Sequence, residues 1–122
     1  MTTADLPWLH PVKRAALVRR IAVGWQDRAL CTRFPADDWF PAPADSDAVA
    51  EVVEVCVRCP VRVSCLAAAL VVGEEHGIWG GTTEAGRAYG LAALTRGTSV
   101  PDLLDQLTSP HQVDDEHERG AA

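Results

Sequence analysis

Four cysteines are the residues of this chain best suited to chemistry. Cys56, Cys59 and Cys65 lie within ten residues of one another, and Cys31 lies upstream. Both sulfurs of a C-x-x-C pair can bind one metal centre. Pro60 suits the first position of a helix, because its missing N–H costs nothing there. The spacing therefore predicts thiolates gathered at a helix start, where free N–H groups favour an anionic centre, with Cys31 completing the set.

Three chemistries stay open for four such thiols. An iron–sulfur cluster takes four thiolates at uneven spacing, often with a proline directly after a ligand, as Pro60 follows Cys59. Structural zinc usually takes two C-x-x-C or C-x-x-H knuckles, and this chain has one. A thioredoxin-like exchange pair needs a βαβ frame, which the sequence does not predict. Spacing alone favours the cluster, then zinc, then disulfides.

Length and composition fit one small domain with tails. The chain has 122 residues and is 48% hydrophobic, with many alanines and valines, so a bound metal would help hold a small core together. No apolar run approaches the roughly 18 residues that span a membrane, and the N-terminus lacks the apolar segment of a secretory signal. We therefore expect a cytoplasmic protein with no membrane partner, whose cysteines bind metal rather than form disulfides.

The charge is acidic and unevenly distributed. The net charge of the chain is −6; residues 1–30 carry +3, residues 31–81 carry −5 and residues 82–122 carry −4. An acidic chain with an acidic end argues against strong independent binding to phosphate backbones.

A short basic, amphipathic helix is predicted near the N-terminus, after an extended lead-in that contains Trp8. Pro11 suits its start, and Leu17, Ile21 and Trp25 recur at helical spacing on one face. The basic residues off that face are either solvated or in contact with an acidic partner or DNA. They are Arg14, Arg19 and Arg20.

Two further helices are predicted around the C-x-x-C pair. Residues 32–45 contain three prolines and are expected to form a loop, whose Trp39 and Phe40 would shield the metal centre from water. Asp45 or Ser46 would cap a helix running towards Cys56, and the next helix would end at Gly73. The predicted inward faces comprise Val49, Val52, Val53 and Cys56 on the first helix, and Leu66, Ala69 and Leu70 on the second.

The last third of the chain is predicted to hold a turn and two helices. Three glycines around Trp79 suit a tight turn with positive φ, which either exposes the indole to a partner or folds it onto the helices. Thr82 or Thr83 would cap a helix from Glu84 to about Leu94, and Ser99 would open a shorter one. The predicted inward face of the first helix comprises Ala85, Ala88, Tyr89 and Ala92. From Ser109 the chain is polar, acidic and predicted to be disordered.

The sequence resembles the WhiB-like proteins of actinobacteria. The four-cysteine spacing carries the resemblance, together with a turn downstream of Cys65 that comprises Gly77, Ile78, Trp79, Gly80 and Gly81. The resemblance covers roughly residues 25–90. It divides the chain into an N-terminal extension with the basic helix at residues 1–30, an iron–sulfur domain at 31–96, and a short helix with an acidic tail at 97–122.

The resemblance implies a small all-α protein of about four to five short helices wrapped around a [4Fe–4S] cluster. It implies Cys31, Cys56, Cys59 and Cys65 as the ligands. It further implies a cytoplasmic transcription regulator, not an enzyme, that responds to oxygen or nitric oxide. Its partner would be the C-terminal domain of the primary sigma factor of RNA polymerase, met at the cluster and the glycine turn.

One departure from the family concerns promoter DNA. Many members carry a Lys- and Arg-rich helix after the turn, whereas in this chain the stretch Glu84-Ala85-Gly86-Arg87 keeps one arginine and the remainder is acidic. Contact with DNA would then come from the basic N-terminal helix or arise within the polymerase complex. Two other functions remain as alternatives, a protein disulfide reductase that uses Cys56 and Cys59 without the cluster, and a structural zinc adaptor.

Overall fold

A computed structural model of the protein describes residues 9–109, so the predictions for Trp8 and for the acidic tail beyond residue 109 lie outside the described residues. Five α-helices make up most of this part: α1 Pro11–Val18, α2 Ser46–Val57, α3 Arg62–Val72, α4 Glu84–Arg96 and α5 Val100–Thr108. Three short 3-10 helices, Trp25–Arg28, Leu30–Arg33 and Ala36–Trp39, connect α1 to α2. The prediction of a small all-α fold is confirmed.

Helix α1 begins at Pro11 as predicted but is shorter than its apolar stripe suggested. It ends at Val18, and Trp25 opens a separate 3-10 helix behind Gly24, whose φ is 69°. The side chain of Ser64 on α3 accepts the N–H of Ala22 and thereby holds the chain in its turn. The prediction that Leu17, Ile21 and Trp25 share one helical face is therefore wrong.

Helices α2 and α3 flank the C-x-x-C turn. Asp45 caps α2 by accepting the N–H of Ala48 at 3.2 Å, as predicted. Helix α3 starts at Arg62 rather than at Pro60, because the N–H of Arg62 still bonds to the carbonyl of Cys59 in the preceding turn. Pro60 is thus a turn residue, and its predicted place at the helix start is wrong. Gly73 ends α3 with a φ of 67°, as predicted.

The predicted inward face of α4 is wrong, although its start at Thr83 and the cap of α5 by Ser99 are confirmed. Gly90 decides the orientation, because a Cβ there would lie 3.2 Å from the Leu107 side chain and 3.3 Å from that of Leu103. The bare glycine lets α5 approach this side of α4. The buried residues of α4 are Arg87, Gly90, Ala93 and Leu94, while Ala85, Ala88 and Tyr89 are exposed.

The main core joins four of the helices around α3. Leu17 of α1, Leu66 and Leu70 of α3, and Leu94 of α4 are all at most 1% exposed and belong to one cluster. Helix α5 adds Leu103 to it. Helix α2 instead packs with the 3-10 helices in a second, smaller cluster, so the two parts of the molecule meet at the C-x-x-C turn.

Between residues 9 and 109, no single helix has the length and apolar character needed to cross a membrane. The pair α2 and α3 would meet that test together by length and composition, but the two helices are bent by 117° relative to each other.

Candidate metal centre

The structure brings all four predicted cysteines to the wall of one cavity of about 410 Å³. Cys31 lies on a 3-10 helix, Cys56 in the last turn of α2, Cys59 in the connection that follows, and Cys65 in the first turns of α3. The C-x-x-C turn is closed by the N–H of Cys59, which donates to the carbonyl of Cys56 at 3.1 Å. Cys31 therefore meets the three cysteines of residues 56–65 at one cavity.

Burial and mutual repulsion hold two of these thiols in the protonated form. Burial raises the pKa of Cys65 to about 12; the backbone N–H of Gly80 acts in the opposite direction, and the other three thiols add to the increase. Burial also raises the pKa of Cys31, with further contributions from Cys56 and Cys59. A cationic centre would have to displace these protons and offset the repulsion between the resulting thiolates.

The cavity is large for a single ion. Zinc held by four thiolates at about 2.3 Å occupies a compact tetrahedron, whereas the cavity corresponds to roughly a dozen water volumes of about 30 Å³. Within residues 9–109, no group of three or more His, Cys, Asp or Glu side chains, the four cysteines included, is placed to hold a metal ion without rearrangement. The size of the cavity and its four sulfurs are compatible with a multinuclear cluster.

Aromatic side chains cover the thiols. Trp39 is buried, its indole N–H donates to the sulfur of Cys56 at 3.4 Å, and its ring packs 5.7 Å from that of Phe34. Phe40 lines the same cavity while remaining 53% exposed. The shielding position predicted for Trp39 and Phe40 agrees with the structure, but Phe34 and Trp25, which also line the cavity, were missed.

The glycine turn is a two-residue hairpin beside the thiols. Trp79 and Thr82 exchange backbone hydrogen bonds of 3.1 and 2.9 Å, and the central residues Gly80 and Gly81 have φ values of 57° and 79°. Positive φ at both positions defines a type I′ turn. A Cβ on Gly80 would lie 2.8 Å from both the Arg62 carbonyl and the Leu66 Cβ, so only glycine fits this contact with α3.

Two positions were predicted for the Trp79 indole, exposed to a partner or folded onto the helices, and the structure combines them. The side chain is half-buried and packs in the cluster that contains Cys59, Cys65 and Ala68. Its indole N–H donates to the carbonyl of His76 at 2.9 Å, on the exposed side of the turn. Part of the ring therefore shields the thiols, while the rest is available at the surface.

Arg62 ties the hairpin to α5 and lies on the cavity wall. Its guanidinium donates to the carbonyls of Gly80 at 2.8 Å and Thr108 at 2.9 Å. Burial lowers the pKa of Arg62, and attraction to Cys56 acts in the opposite direction. Our sequence reasoning missed this residue, although an arginine at the head of the apolar segment RVSCLAAALVV was a usable signal.

Arg87 holds the same turn from the other side. It is 1% exposed and donates to the carbonyls of Glu74, Gly77 and Thr82 at 3.0, 2.7 and 2.7 Å. Its positive charge thus faces main-chain oxygens rather than solvent. Arg87 is a structural residue, and it is not available for the contact with nucleic acid that a basic helix after the turn would make.

Two basic residues of α1 are also engaged internally. Lys13 donates to the carbonyls of Leu94 and Thr98 at 2.7 and 2.6 Å, at the end of α4. Arg14 donates to the carbonyl of Val71 at 3.3 Å, at the end of α3. Such cations favour helix carboxyl termini. The exposed basic residues of this region are therefore Arg19 and Arg20, at the C-terminal end of α1.

Fold and site together define a small helical protein in which four thiols, an aromatic cover and a glycine hairpin share one centre. The sequence profile described as transcription factor WhiB matches residues 25–89, so this chain belongs to the WhiB family of transcription factors. The match begins at Trp25 and includes all four cysteines and the hairpin.

Curated relatives agree with this assignment. The transcriptional regulator WhiB of Streptomyces coelicolor is 44% identical over 62 residues, which are 51% of this chain and 69% of that protein. WhiB2 of Mycobacterium tuberculosis is 43% identical over 60 residues, covering 49% and 65% of the two chains. WhiB1 of the same species is 36% identical over 63 residues, covering 49% and 75%.

Proposed function

We propose that this protein is a redox-responsive transcriptional regulator that holds a [4Fe–4S] cluster and binds the C-terminal domain of the primary sigma factor in the cytoplasm. The observation that carries the proposal is the convergence of four thiols from separate segments on one aromatic-covered cavity of about 410 Å³. Its ligands would be Cys31, Cys56, Cys59 and Cys65. When bound, the cluster supplies one-electron redox chemistry and reactivity towards oxygen and nitric oxide.

The chain's own groups suit an anionic centre at this place. Arg62 brings a positive charge to the cavity wall, where it offsets part of the charge of four thiolates. Trp39 donates its indole N–H to the sulfur of Cys56, and the backbone of Gly80 acts to lower the pKa of Cys65. The aromatic cover restricts water, which limits hydrolysis and oxidation of iron–sulfur bonds.

The hairpin connects the cluster to the proposed sigma surface. The backbone of Gly80 acts to lower the pKa of Cys65, and the neighbouring Trp79 is partly exposed. A change in ligation at Cys65 is therefore transmitted over one residue to the aromatic ring that a partner would contact. Phe34 and Phe40, which are 46% and 53% exposed, extend the same rim as apolar anchors. Loss of the cluster would thus weaken the complex.

Metal analysis tests the proposal directly. Purified without air, the full chain should be brown and contain about four irons and a similar amount of acid-labile sulfide per molecule. A folded, colourless protein that contains zinc and no sulfide would instead support the zinc adaptor. Turnover of an oxidised protein substrate that depends on Cys56 and Cys59 would support the disulfide reductase.

Replacing Trp79 with alanine should weaken sigma binding while leaving most of the cluster in place. The ring is partly exposed, and the hairpin bonds that shape the turn are between backbone atoms. We expect a loss of roughly tenfold or more in affinity, as for an aromatic hot spot. Anaerobic binding to the isolated sigma domain measures the affinity, and visible absorption measures the cluster.

Tyr89→Ala is the matched control for Trp79→Ala, because this tyrosine is 57% exposed on α4 and does not line the cysteine cavity. It should bind sigma like the unmodified protein. Bleaching of the cluster by Trp79→Ala would show that Trp79 acts as core rather than as a contact.

Contact with promoter DNA is proposed only within the polymerase complex. Arg19 and Arg20 are exposed at the end of α1, but Lys13 and Arg14 donate to carbonyls at helix ends and Arg87 is buried. The two exposed arginines at the end of α1, on a chain of net charge −6, supply little affinity for a phosphate backbone on their own.

A further inference from the structure

The indole of Trp39 makes a specific polar contact with one of the proposed ligands. Its N–H donates to the sulfur of Cys56 at 3.4 Å, within the range of hydrogen bonds to sulfur. Both residues are buried, with exposed fractions of 8% and 7%. In such an environment a hydrogen bond is electrostatically stronger than in water, because solvent does not compete for donor or acceptor.

The donor is held in place by its surroundings. The carbonyl of Trp39 accepts the N–H of Ile78 at 2.8 Å, and its ring packs against that of Phe34. Val52 and Ile78 complete the buried cluster around the indole. The ring therefore reaches Cys56 from a fixed position and is directly bonded to the chain segment that forms the hairpin.

The other two indoles on the cavity wall provide comparisons. Trp79 directs its N–H away from the thiols, to the carbonyl of His76. Trp25 is 9% exposed and packs near Cys31, Cys59 and Cys65 in a different cluster from Cys56. Shielding from water is thus a property of all three rings, whereas an indole bond to sulfur is recorded for Trp39.

We propose that Trp39 tunes the cluster through its hydrogen bond to Cys56, raising the reduction potential and slowing oxidative loss. The inference rests on the proposed function, because it requires Cys56 to be a cluster ligand. A hydrogen bond to a ligand sulfur is stronger when the cluster carries more negative charge, so it stabilises the reduced state relative to the oxidised one. It also makes removal of an electron by oxygen harder.

The test is Trp39→Phe, which removes the N–H but keeps an aromatic ring over the thiols. The variant should assemble the cluster with a more negative midpoint potential, measured anaerobically by a dye-mediated titration monitored by electron paramagnetic resonance. Its brown colour should fade several-fold faster in air. Tyr89→Phe is the matched control, since it removes a polar hydrogen from an exposed aromatic ring that does not line the cavity, and it should leave the midpoint potential unchanged. Equal potentials in Trp39→Phe and the unmodified protein would overturn the inference.

A measurement on the unmodified protein keeps the test decisive if Trp39→Phe fails to assemble. With ¹⁵N in the indole rings, pulsed paramagnetic resonance of the reduced cluster should detect one coupled indole nitrogen. The coupling should persist in Trp25→Phe and Trp79→Phe. Absence of the coupling, or its loss in either variant, contradicts the role of Trp39.

Different results would overturn the proposed function and the inference about Trp39. A sulfide-free, colourless protein removes the cluster and with it this inference. A normal cluster without the ¹⁵N coupling and with unchanged potential removes the inference alone.

Discussion

Cys56→Ala is expected to lose the brown chromophore and the affinity for the sigma domain together. Cys56 is 7% exposed at the end of α2, where it joins the smaller core to the cavity that α3 also lines. Removing one of four thiolates leaves an iron without its protein ligand and admits water beside it. The remaining three cysteines come from separate segments, so their arrangement would loosen once ligation fails.

Two measurements on anaerobic protein check this result. Iron and sulfide analysis should show less than about one iron per molecule, and binding to the sigma domain should fall at least about a hundredfold. Val57→Ala is the matched control, because it trims the adjacent residue of α2, which is 39% exposed, without touching a thiol. A colourless Cys56→Ala protein that still binds sigma with full affinity would separate the cluster from partner recognition.

Arg87→Met is expected to destabilise the folded, cluster-loaded protein by about 3–5 kcal/mol. The substitution keeps an unbranched side chain of similar length but removes the guanidinium donors from three carbonyls, those of Glu74, Gly77 and Thr82. Of these, the Thr82 carbonyl still accepts the N–H of Trp79. Because Gly77 and Thr82 flank the hairpin, the loss should be concentrated there. A small domain has roughly 5–15 kcal/mol of total stability, so this is a large fraction of it.

Thermal unfolding without air and hydrogen exchange measure the Arg87 effect. The unfolding midpoint should fall by more than about 10 °C, and amide exchange should accelerate first in residues 77–82. Arg87→Lys should recover only part of the loss, since one ammonium cannot reach three separate carbonyls in the geometry of a guanidinium.

Arg58→Met is the matched control for Arg87→Met. Its guanidinium bonds to Glu54 at 3.0 Å on the surface of α2, with both side chains well exposed. Such a pair contributes about 0.3–0.5 kcal/mol. An Arg87→Met protein as stable as Arg58→Met would mean that the hairpin does not depend on the buried guanidinium.

Local signals in the sequence were sufficient for the helix caps and the turn. Asp45, Thr83 and Ser99 each bond a backbone N–H three residues later, because capping depends only on adjacent chain geometry. The glycines of the hairpin adopt positive φ for the same local reason. The buried face of a helix depends on the element that packs against it, and here the sequence-based prediction was wrong. Helix α4 buries a different face because α5 packs against Gly90.

By itself, the sequence determined the helical class, the family, the four cysteines that line one cavity and two of its aromatic residues, Trp39 and Phe40, since spacing and local backbone preferences depend on neighbouring residues. Only the tertiary structure decided which other side chains surround the thiols. It placed Trp25, Phe34 and Arg62 on the cavity wall and aimed the Trp39 N–H at Cys56. The tertiary structure also directs the Arg87 guanidinium at three main-chain carbonyls, because contacts between separate elements depend on how the helices pack.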